Sequence, residues 1–342
     1  MALNLHKLIR YLNTLDDSHK EIIYQELKES IFPTKYHDEI IEEVRDAKFD
    51  DGLTCPHCEN TYVIRWGKYK GRQKYKCKSC GKYFNDLTAT PMAYTHKADK
   101  WLKFMDCMVR GMSLRKSAEV IGGITWVTLF YWRHKILSAL KQGKFDKFNK
   151  ILEVDETYFL YSEKGNKNIR GRKARKRGGA SKYRGISHEQ VCVLVARDRS
   201  KHTISKPVCM GRIDTTKIDK VIGNHITPDT ILCSDAWKSY KTFAFNKGIE
   251  HYIINASKGH HKVKSIYHIQ NVNSYHSRLK KWIARFNGVA SKYLENYLTW
   301  FNLVESKRFS IAIDDRKELL FKSCDYKINE TFKSIRLSKF AI

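Results

Sequence analysis

Two cysteine pairs constrain the fold of this chain most tightly, because their spacing specifies both a metal and a local architecture. The pairs are Cys55-Pro-His-Cys58 and Cys77-Lys-Ser-Cys80. Four thiolates in this C-x2-C-x18-C-x2-C pattern can close a tetrahedral shell around Zn²⁺. Between the pairs, two strand-like runs separated by Gly71-Arg72 predict a β-hairpin. The pattern therefore predicts a zinc ribbon. Its predicted ligands are Cys55, Cys58, Cys77 and Cys80.

The chain also carries a large excess of positive charge. It has 64 Lys and Arg against 36 Asp and Glu, so its formal net charge is +28. A protein with this charge attracts polyanions such as nucleic acids. Its 342 residues predict two or three domains. No apolar run reaches the roughly 18 residues of a membrane span, and no signal-peptide core is present. We expect a cytoplasmic, nucleoid-associated protein with no membrane partner, whose nine cysteines are reduced.

Basic residues alternate with aromatic residues along the predicted ribbon. Arg65 and Arg72 are the arginines of this set, and Trp66 and Tyr75 are among its aromatic residues. A face of this composition suits phosphate contacts combined with stacking, so Arg65 and Arg72 are candidate DNA-binding residues. The alternative is a ribbon with a purely structural role.

A helix, a Gly-Gly turn and a second helix are predicted over residues 113–135. Ser113 suits the N-cap of the first helix. This is the layout of a helix-turn-helix, whose second helix enters the major groove of DNA. Trp126 and Arg133 would then face the groove. Ordinary helical hairpins show the same pattern, so the hairpin alone leaves both interpretations open.

A basic segment follows over residues 164–184, with ten Lys or Arg and no acid. One interpretation is a flexible arm that lies on a nucleic-acid backbone, and the other is a solvated loop. The arm is favoured because it directly follows a strand with a candidate metal ligand. The DNA-binding candidates in the arm are Arg170, Arg172, Arg175 and Arg177.

Two predicted strands each contain an acid among apolar residues. Asp155 lies in I-L-E-V-D-E-T-Y-F, and Asp235 lies in T-I-L-C-S-D-A-W-K-S-Y. A carboxylate in such surroundings is costly to desolvate unless a cation pairs with it, so the two acids together predict a divalent-metal site. Glu153 shares a strand face with Asp155, whereas Glu156 faces away. Pairing with Lys or Arg is the expected role of Glu153, and an auxiliary ligand is the alternative.

The order of elements predicts the fold class. After the Asp155 strand come strand-like runs over residues 190–197 and 202–208, a helical stretch over 215–225, and the Asp235 strand. Strand, strand, strand, helix, strand is typical of an α/β domain with a mixed sheet.

A further helix is predicted in the stretch from Ile269 to Phe286. Residues spaced by three, four and seven lie on one side of a helix. Asn273, His276 and Lys280 therefore line one side and offer an amide oxygen, an imidazole and an ammonium towards the same place.

The resemblance of this chain to a known family rests on ordered motifs that span roughly residues 50 to 305. They are C-P-H-C, C-K-S-C-G-K-Y-F, V-D-E-T-Y-F, S-D-A-W-K-S-Y, N-V-N-S-Y-H-S-R-L-K-K-W-I-A-R-F-N-G-V and Y-L-E-N-Y-L-T-W-F. In these motifs the sequence resembles bacterial insertion-sequence transposases that join a zinc ribbon and a helix-turn-helix to an RNase H-like catalytic domain. The resemblance implies an acid triad that closes on two magnesium ions and a lysine seven residues after its third member. Asp155 matches the first acid, Asp235 the second and Lys280 the lysine.

The third member of the triad is Asn273 in this resemblance, because a subgroup uses Asn where the wider superfamily has Glu. An amide oxygen can coordinate magnesium. The rival is Glu295 in Y-L-E-N-Y-L, a conventional carboxylate. The helical face that Asn273 shares with Lys280 favours Asn273, whereas Glu295 lies in an aromatic stripe typical of helix packing.

The resemblance implies a DNA transposase that binds the element's terminal repeats, hydrolyses a phosphodiester and joins the freed end to target DNA. It implies structural Zn²⁺ in the ribbon, catalytic Mg²⁺ or Mn²⁺, double-stranded DNA as partner and a homo-oligomer on the DNA ends. Two alternatives stay open: a non-catalytic DNA-binding regulator, and a stand-alone RNase H-like nuclease.

The expected domain organisation follows from these assignments. The segments are an N-terminal helical segment (1–48), the zinc ribbon (49–92), the helix-turn-helix region (93–145), the RNase H-like catalytic domain (146–306) and a C-terminal tail (307–342).

Overall fold

A computed structural model describes most of the chain. The described residues are 5–31, 41–46, 48–50, 52–69, 71–143, 145–169, 171–175, 179–255, 259, 261–306, 313–340 and 342. The chain divides into two compact units, one formed by residues 1–140 and 309–332 and the other by residues 141–308 and 333–342. Within the described ranges, none of the helices combines the length and the hydrophobicity required to cross a membrane.

The chain contains both helices and strands. Up to residue 140 they are α1 (Leu5–Thr14), α2 (Asp17–Ile31), β1 (Val63–Tyr69), β2 (Arg72–Cys77), β3 (Tyr83–Asn85), α3 (Trp101–Val109), α4 (Leu114–Ile121) and α5 (Trp126–Leu140). From residue 151 they are β4 (Ile151–Leu160), β5 (Gln190–Asp198), β6 (Thr203–Met210), α6 (Thr215–Ile222), β7 (Ile231–Ser234), α7 (Lys238–Lys247), β8 (Glu250–Ile253), α8 (Gln270–Ala284), α9 (Leu294–Ser306), α10 (Ile313–Cys324) and α11 (Phe332–Leu337).

The ribbon in the first unit is a three-stranded antiparallel sheet in the order β1-β2-β3. Its small core is aromatic: Tyr75 stacks on Phe84 at 5.3 Å between ring centroids and meets Phe49 edge-on at 5.9 Å. Tyr75 is therefore buried, and the expectation that it belongs to an outer stacking face is wrong. The strand period explains this, because alternate residues of β2 face the two sides of the sheet.

The helix-turn-helix consists of α4, the Gly122-Gly123 turn and α5. The Ser113 hydroxyl accepts a hydrogen bond from the Lys116 backbone N–H, as expected for an N-cap. Gly122 and Gly123 have φ of 70° and 60°, which only glycine adopts readily. The pair therefore ends α4 and redirects the chain into α5.

The second unit is built on a five-stranded sheet in the order β6-β5-β4-β7-β8. Strand β4 is central and pairs antiparallel with β5 and parallel with β7. Strands β5 and β6 are antiparallel, and β7 and β8 are parallel. This mixed sheet flanked by helices confirms the α/β fold class, and the predicted strand, strand, strand, helix, strand order is correct.

Alternate residues of β4 face two different helical layers. Leu152 and Val154 belong to a core cluster with Ile218 of α6 and Phe243 of α7. The intervening residues face α8, since Asp155 approaches its His276. The period of two along β4 thus determines which acid can meet which helix.

Candidate active site

Asp155 and Asp235 come together because β4 and β7 are parallel neighbours. Their register pairs Leu152 with Leu232 and Glu153 with Cys233. Continued by two residues, it brings Asp155 beside Asp235, which directly follows the last residue of β7. The pKa of Asp155 is raised to about 7, first by burial and further by the negative charge of Asp235. The predicted pair of acids is therefore assembled by the sheet.

Glu156 adds a third carboxyl group to this region from the opposite face of β4. Its Oε1 accepts a hydrogen bond of 2.6 Å from the Tyr240 hydroxyl of α7. Burial raises its pKa to about 7, and the charges of Asp155 and Asp235 act in the same direction. Sequence reasoning placed Glu156 on the far face correctly but did not identify its bond to Tyr240, although both lie in the motifs that contain the acids.

Helix α8 faces the two acids with the side on which Asn273, His276 and Lys280 were predicted to lie. The imidazole Nδ1 of His276 lies 3.7 Å from Oδ2 of Asp155. Burial lowers the pKa of His276 to about 4, and the positive charge of Lys280 acts in the same direction. The same charge partly offsets the rise in the pKa of Asp155. Among the described residues nothing hydrogen-bonds to the buried Nε2 of His276. Asn273 and Lys280 are exposed on this side of the helix, one turn before and one turn after His276.

Glu295 has a different environment in the first turn of α9. Its Oε2 lies 3.1 Å from the Lys141 ammonium. The following turns carry Tyr297 and Trp300, which meet Trp282 of α8 at 6.2 and 4.9 Å between ring centroids. Glu295 is thus ion-paired at the start of a helix that packs through aromatic side chains.

The four predicted zinc ligands form one cluster. The Sγ atoms of Cys55, Cys58, Cys77 and Cys80 all lie within 4.8 Å of one another. The Cys55–Cys80 and Cys58–Cys77 pairs are 3.7 and 3.6 Å apart. The Cys80 backbone N–H donates to Cys77 Sγ at 3.5 Å, and this bond is the main cause that lowers the pKa of Cys77. Four clustered thiols with a stabilised thiolate fit the preferences of Zn²⁺.

The outer face of the ribbon combines rings and ammonium groups. Trp66 and Tyr83 are 5.9 Å apart between ring centroids, and both are exposed. Lys76 lies 4.7 Å from the Trp66 ring, and Lys74 lies 4.2 Å from the Tyr83 ring. Sequence reasoning overlooked Tyr83, which comes after the second cysteine pair. Arg65 is exposed on β1, whereas Arg72 is half-buried at the hairpin turn.

In the helix-turn-helix the two predicted groove residues differ. Trp126 is 44% exposed at the start of α5, and the Arg115 guanidinium lies 5.0 Å from its ring. Arg133 is only 1% exposed and donates from Nη2 to the Met112 carbonyl. The prediction that Arg133 faces the groove is therefore wrong. The second half of α5 is buried around its whole circumference, so helical periodicity does not identify an outer face there.

The basic segment that follows β4 is tied to the sheet where it is described. Arg172 Nη2 lies 3.4 Å from a Glu163 carboxylate oxygen. Arg175 donates to the Tyr161 carbonyl at 2.6 Å and lies 3.4 Å from Glu189. Arg172 and Arg175 thus have carboxylate partners within the second unit, and their predicted DNA contacts stay predictions. Arg170 and Arg177 lie outside the described residues.

Comparison with known proteins identifies relatives among mobile elements. Residues 147–302 match the family model of the ISXO2-like transposase domain. A Halobacterium salinarum protein described as an uncharacterized protein in transposable element ISH50 is 25% identical over 261 residues, which are 75% of this chain and 86% of that protein. A chain from the crystal structure of a pre-cleavage Mos1 transpososome is 12% identical with a TM-score of 0.21, over 66% of this chain and 80% of that chain.

Proposed function

We propose that this chain, an insertion-sequence transposase by its ISXO2-like domain, cuts and joins DNA by metal-dependent phosphoryl transfer. The observation that carries the proposal is the meeting of Asp155 and Asp235 on neighbouring parallel strands, facing a helix that presents Asn273 and Lys280. Two neighbouring carboxylates repel each other, and either a bound proton or a bound cation offsets this repulsion. Oxygen ligands of this kind suit Mg²⁺ or Mn²⁺.

In this proposal Asp155, Asp235 and Asn273 hold the catalytic Mg²⁺ or Mn²⁺. When bound, two such ions activate a water or a 3′ hydroxyl and stabilise the leaving 3′ oxygen. The ammonium of Lys280 holds a phosphate of the DNA end beside the acids. The raised pKa of Asp155 means that cation binding must displace a proton from this carboxyl group near neutral pH.

We place Asn273 rather than Glu295 in the proposed triad, and the ion pair between Glu295 and Lys141 supports this choice. Asn273 stands one turn from His276, whose ring approaches Asp155. This helical neighbourhood supports Asn273 as the third ligand.

The first unit supplies the proposed DNA recognition. In the ribbon, Zn²⁺ held by the four cysteines would stabilise the exposed face of Trp66, Tyr83, Lys74 and Lys76, which suits a phosphate backbone and unstacked bases. Trp126, beside Arg115, is the groove candidate of the helix-turn-helix. The proposed partners are the terminal repeats and target DNA, with copies of the chain assembling on paired ends near the host nucleoid.

The experiment that tests the proposal is strand transfer of a pre-cleaved DNA that carries the element's own terminal repeats. Wild type, Asn273→Ala and Glu295→Ala are compared in Mg²⁺ and in Mn²⁺. We expect wild type and Glu295→Ala to join ends and Asn273→Ala to fail. Loss of joining in Glu295→Ala alone would show that the triad is assigned wrongly.

Two further results separate the alternative functions. End binding without joining in either metal would favour the regulator. Cleavage of uncut ends without any joined product would favour the nuclease. Asp155→Ala is the matched reference, because it should abolish cleavage and leave end binding by the first unit intact.

A further inference from the structure

Glu153 is a fully buried acid near the middle of the sheet. It lies on β4 two residues before Asp155, and its side chain points to the same helical layer. A buried carboxylate is costly unless hydrogen bonds and positive charge compensate for its lost hydration. The groups that compensate for the burial of the Glu153 carboxylate therefore indicate its structural role.

The hydrogen bonds come from the first turn of α8. Oε2 of Glu153 accepts from the backbone N–H groups of Asn271 and Val272 at 2.8 and 3.1 Å. Oε1 accepts from the Asn271 side-chain amide at 2.7 Å. The N-cap position of α8 is occupied by Ile269, which has no acceptor in its side chain. Glu153 thus satisfies, from a different element, the N–H groups that an N-cap side chain ordinarily satisfies.

Positive charge comes from Arg199, which directly follows β5. Arg199 Nη1 lies 3.2 Å from Oε1 of Glu153. The same guanidinium donates to the Ile266 carbonyl at 2.9 Å and so ties down the segment that leads into α8. The expected pairing of Glu153 with a basic residue is thereby confirmed. The positive end of the helix dipole further favours a carboxylate at this place.

The segment that follows α8 is also held from the β4 side. Lys164, which follows β4, donates from Nζ to the carbonyls of Phe286, Asn287 and Gly288 at 2.9, 3.0 and 2.9 Å. These carbonyls lie beyond Ala284, the last residue of α8, so the ammonium holds the chain just after the helix. Glu153 therefore anchors the start of α8, which is the end nearer Asn273, and Lys164 anchors the segment that leaves it.

We propose that Glu153 is a positioning residue of the catalytic centre. Its carboxylate fixes the first turn of α8 against β4, so that Asn273, the residue after Val272, is held at a set distance from Asp155. This role rests on the proposed function, because it assigns Asn273 and Asp155 to one metal site. Partners that orient metal ligands typically change metal affinity by about 10- to 100-fold when they are altered.

The test measures Mn²⁺ binding directly, by calorimetric titration of the full chain without DNA, with strand transfer as a second readout. Glu153→Gln keeps the shape of the side chain but replaces one carboxylate oxygen, which accepts hydrogen bonds, by an amide NH2 group, which cannot accept from the N–H donors of α8. We expect its Mn²⁺ dissociation constant to rise by about tenfold or more. Strand transfer in Mg²⁺ should fall in parallel and recover in part at high Mn²⁺, while end binding is unchanged.

Asp198→Asn is the matched control. Asp198 is 1% exposed in the same sheet and accepts from the backbone N–H groups of Asn149 and His202 at 3.0 and 2.9 Å, without a hydrogen bond or ion pair to α8 among the described residues. This variant should lose stability and keep the Mn²⁺ affinity of wild type. An equal loss of affinity in both variants would overturn the positioning role.

A second variant separates positioning from stability. In Glu153→Gln/Ile269→Asp, the new aspartate caps α8 locally, so the melting temperature should recover while the Mn²⁺ affinity stays weak. Recovery of both would overturn the proposal, because a structural cap would then suffice. If Asp155→Ala loses Mn²⁺ and Glu153→Gln binds like wild type, the positioning role alone fails. If wild type binds no Mn²⁺, or Asp155→Ala binds it equally well, the proposed function fails together with it.

Discussion

Replacing Asp155 by Asn should stabilise the protein at alkaline pH when no Mg²⁺ or Mn²⁺ is bound, while it abolishes the joining of DNA ends. The reason is that burial and the neighbouring charge of Asp235 oppose ionisation of Asp155 in the folded state. Asn has nearly the same shape and carries no charge. The substitution therefore removes the electrostatic cost and the proposed metal ligand in one step.

The size of the effect follows from the pKa of Asp155, which is raised to about 7 in the folded protein. Against an unfolded value of about 3.9 this is a shift of about 3 units, and at about 1.4 kcal/mol per unit it corresponds to at most about 4 kcal/mol. Between pH 4 and pH 7 or so, the folded state keeps a proton that the unfolded state has released. The free energy of unfolding of wild type should fall as pH rises through this window, and the variant should lose this part of the slope.

The assay is urea unfolding at pH 4.5 and pH 8.5 without Mg²⁺ or Mn²⁺ and with zinc retained. Hydrogen exchange of peptides that cover β4 assigns the transition to the second unit. At pH 8.5 Asp155→Asn should be the more stable protein, and the difference should largely vanish at pH 4.5. Adding Mn²⁺ should then stabilise wild type only.

Glu295→Gln is the control, since its carboxylate belongs to a partly exposed ion pair worth at most about 1 kcal/mol. If Asp155→Asn is less stable than wild type at pH 8.5, or changes stability equally at both pH values, the electrostatic reasoning is refuted.

Three further predictions concern the first unit. Cys77→Ser removes a fully buried thiol, so metal analysis should find no zinc and end binding should be lost; one zinc per chain would contradict the ribbon assignment. Arg133→Met should cost about 1–3 kcal/mol, seen in melts, because the Met112 carbonyl loses its hydrogen bond from Arg133. A shallower salt dependence of DNA binding, by about 0.9 in log–log slope, would instead restore Arg133 as a phosphate contact. Burial lowers the pKa of Lys135 to about 8, so the stability of wild type should rise between pH 8 and about 10.4, and Lys135→Met should lack this rise.

Local patterns predicted a large part of the fold. Cys55 and Cys77 belong to a spacing that specifies a ribbon by itself, because each pair occupies one tight turn. The period of two along β4 correctly separated Asp155 from Glu156. The same regularity on α8 placed Asn273 and Lys280 on one side, because a helix returns to its starting face after seven residues.

Predictions failed where burial depends on what packs around an element. Arg133 looked like a groove residue, but α5 is enclosed on all sides over its second half. Tyr75 looked like a stacking residue, but its side of β2 covers the ribbon core. Arg175 was expected in a flexible arm, but the Tyr161 carbonyl and Glu189 hold it, and its predicted DNA contact stays a prediction. Sequence alone does not reveal these partners, because they are distant along the chain or on another strand.

The sequence by itself determined the types of the candidate site residues and the order in which they occur: four cysteines in two pairs, one acid on each of two strands, and an Asn and a Lys on one helical face. These follow from local periodicity and spacing, which act over a few residues. Only the tertiary structure decided that β7 pairs with β4 in a register that brings Asp235 beside Asp155. It also decided that Glu153, 118 residues before Asn271, caps the helix that faces them. Contacts of this kind depend on sheet register and helix docking, which the whole chain determines together.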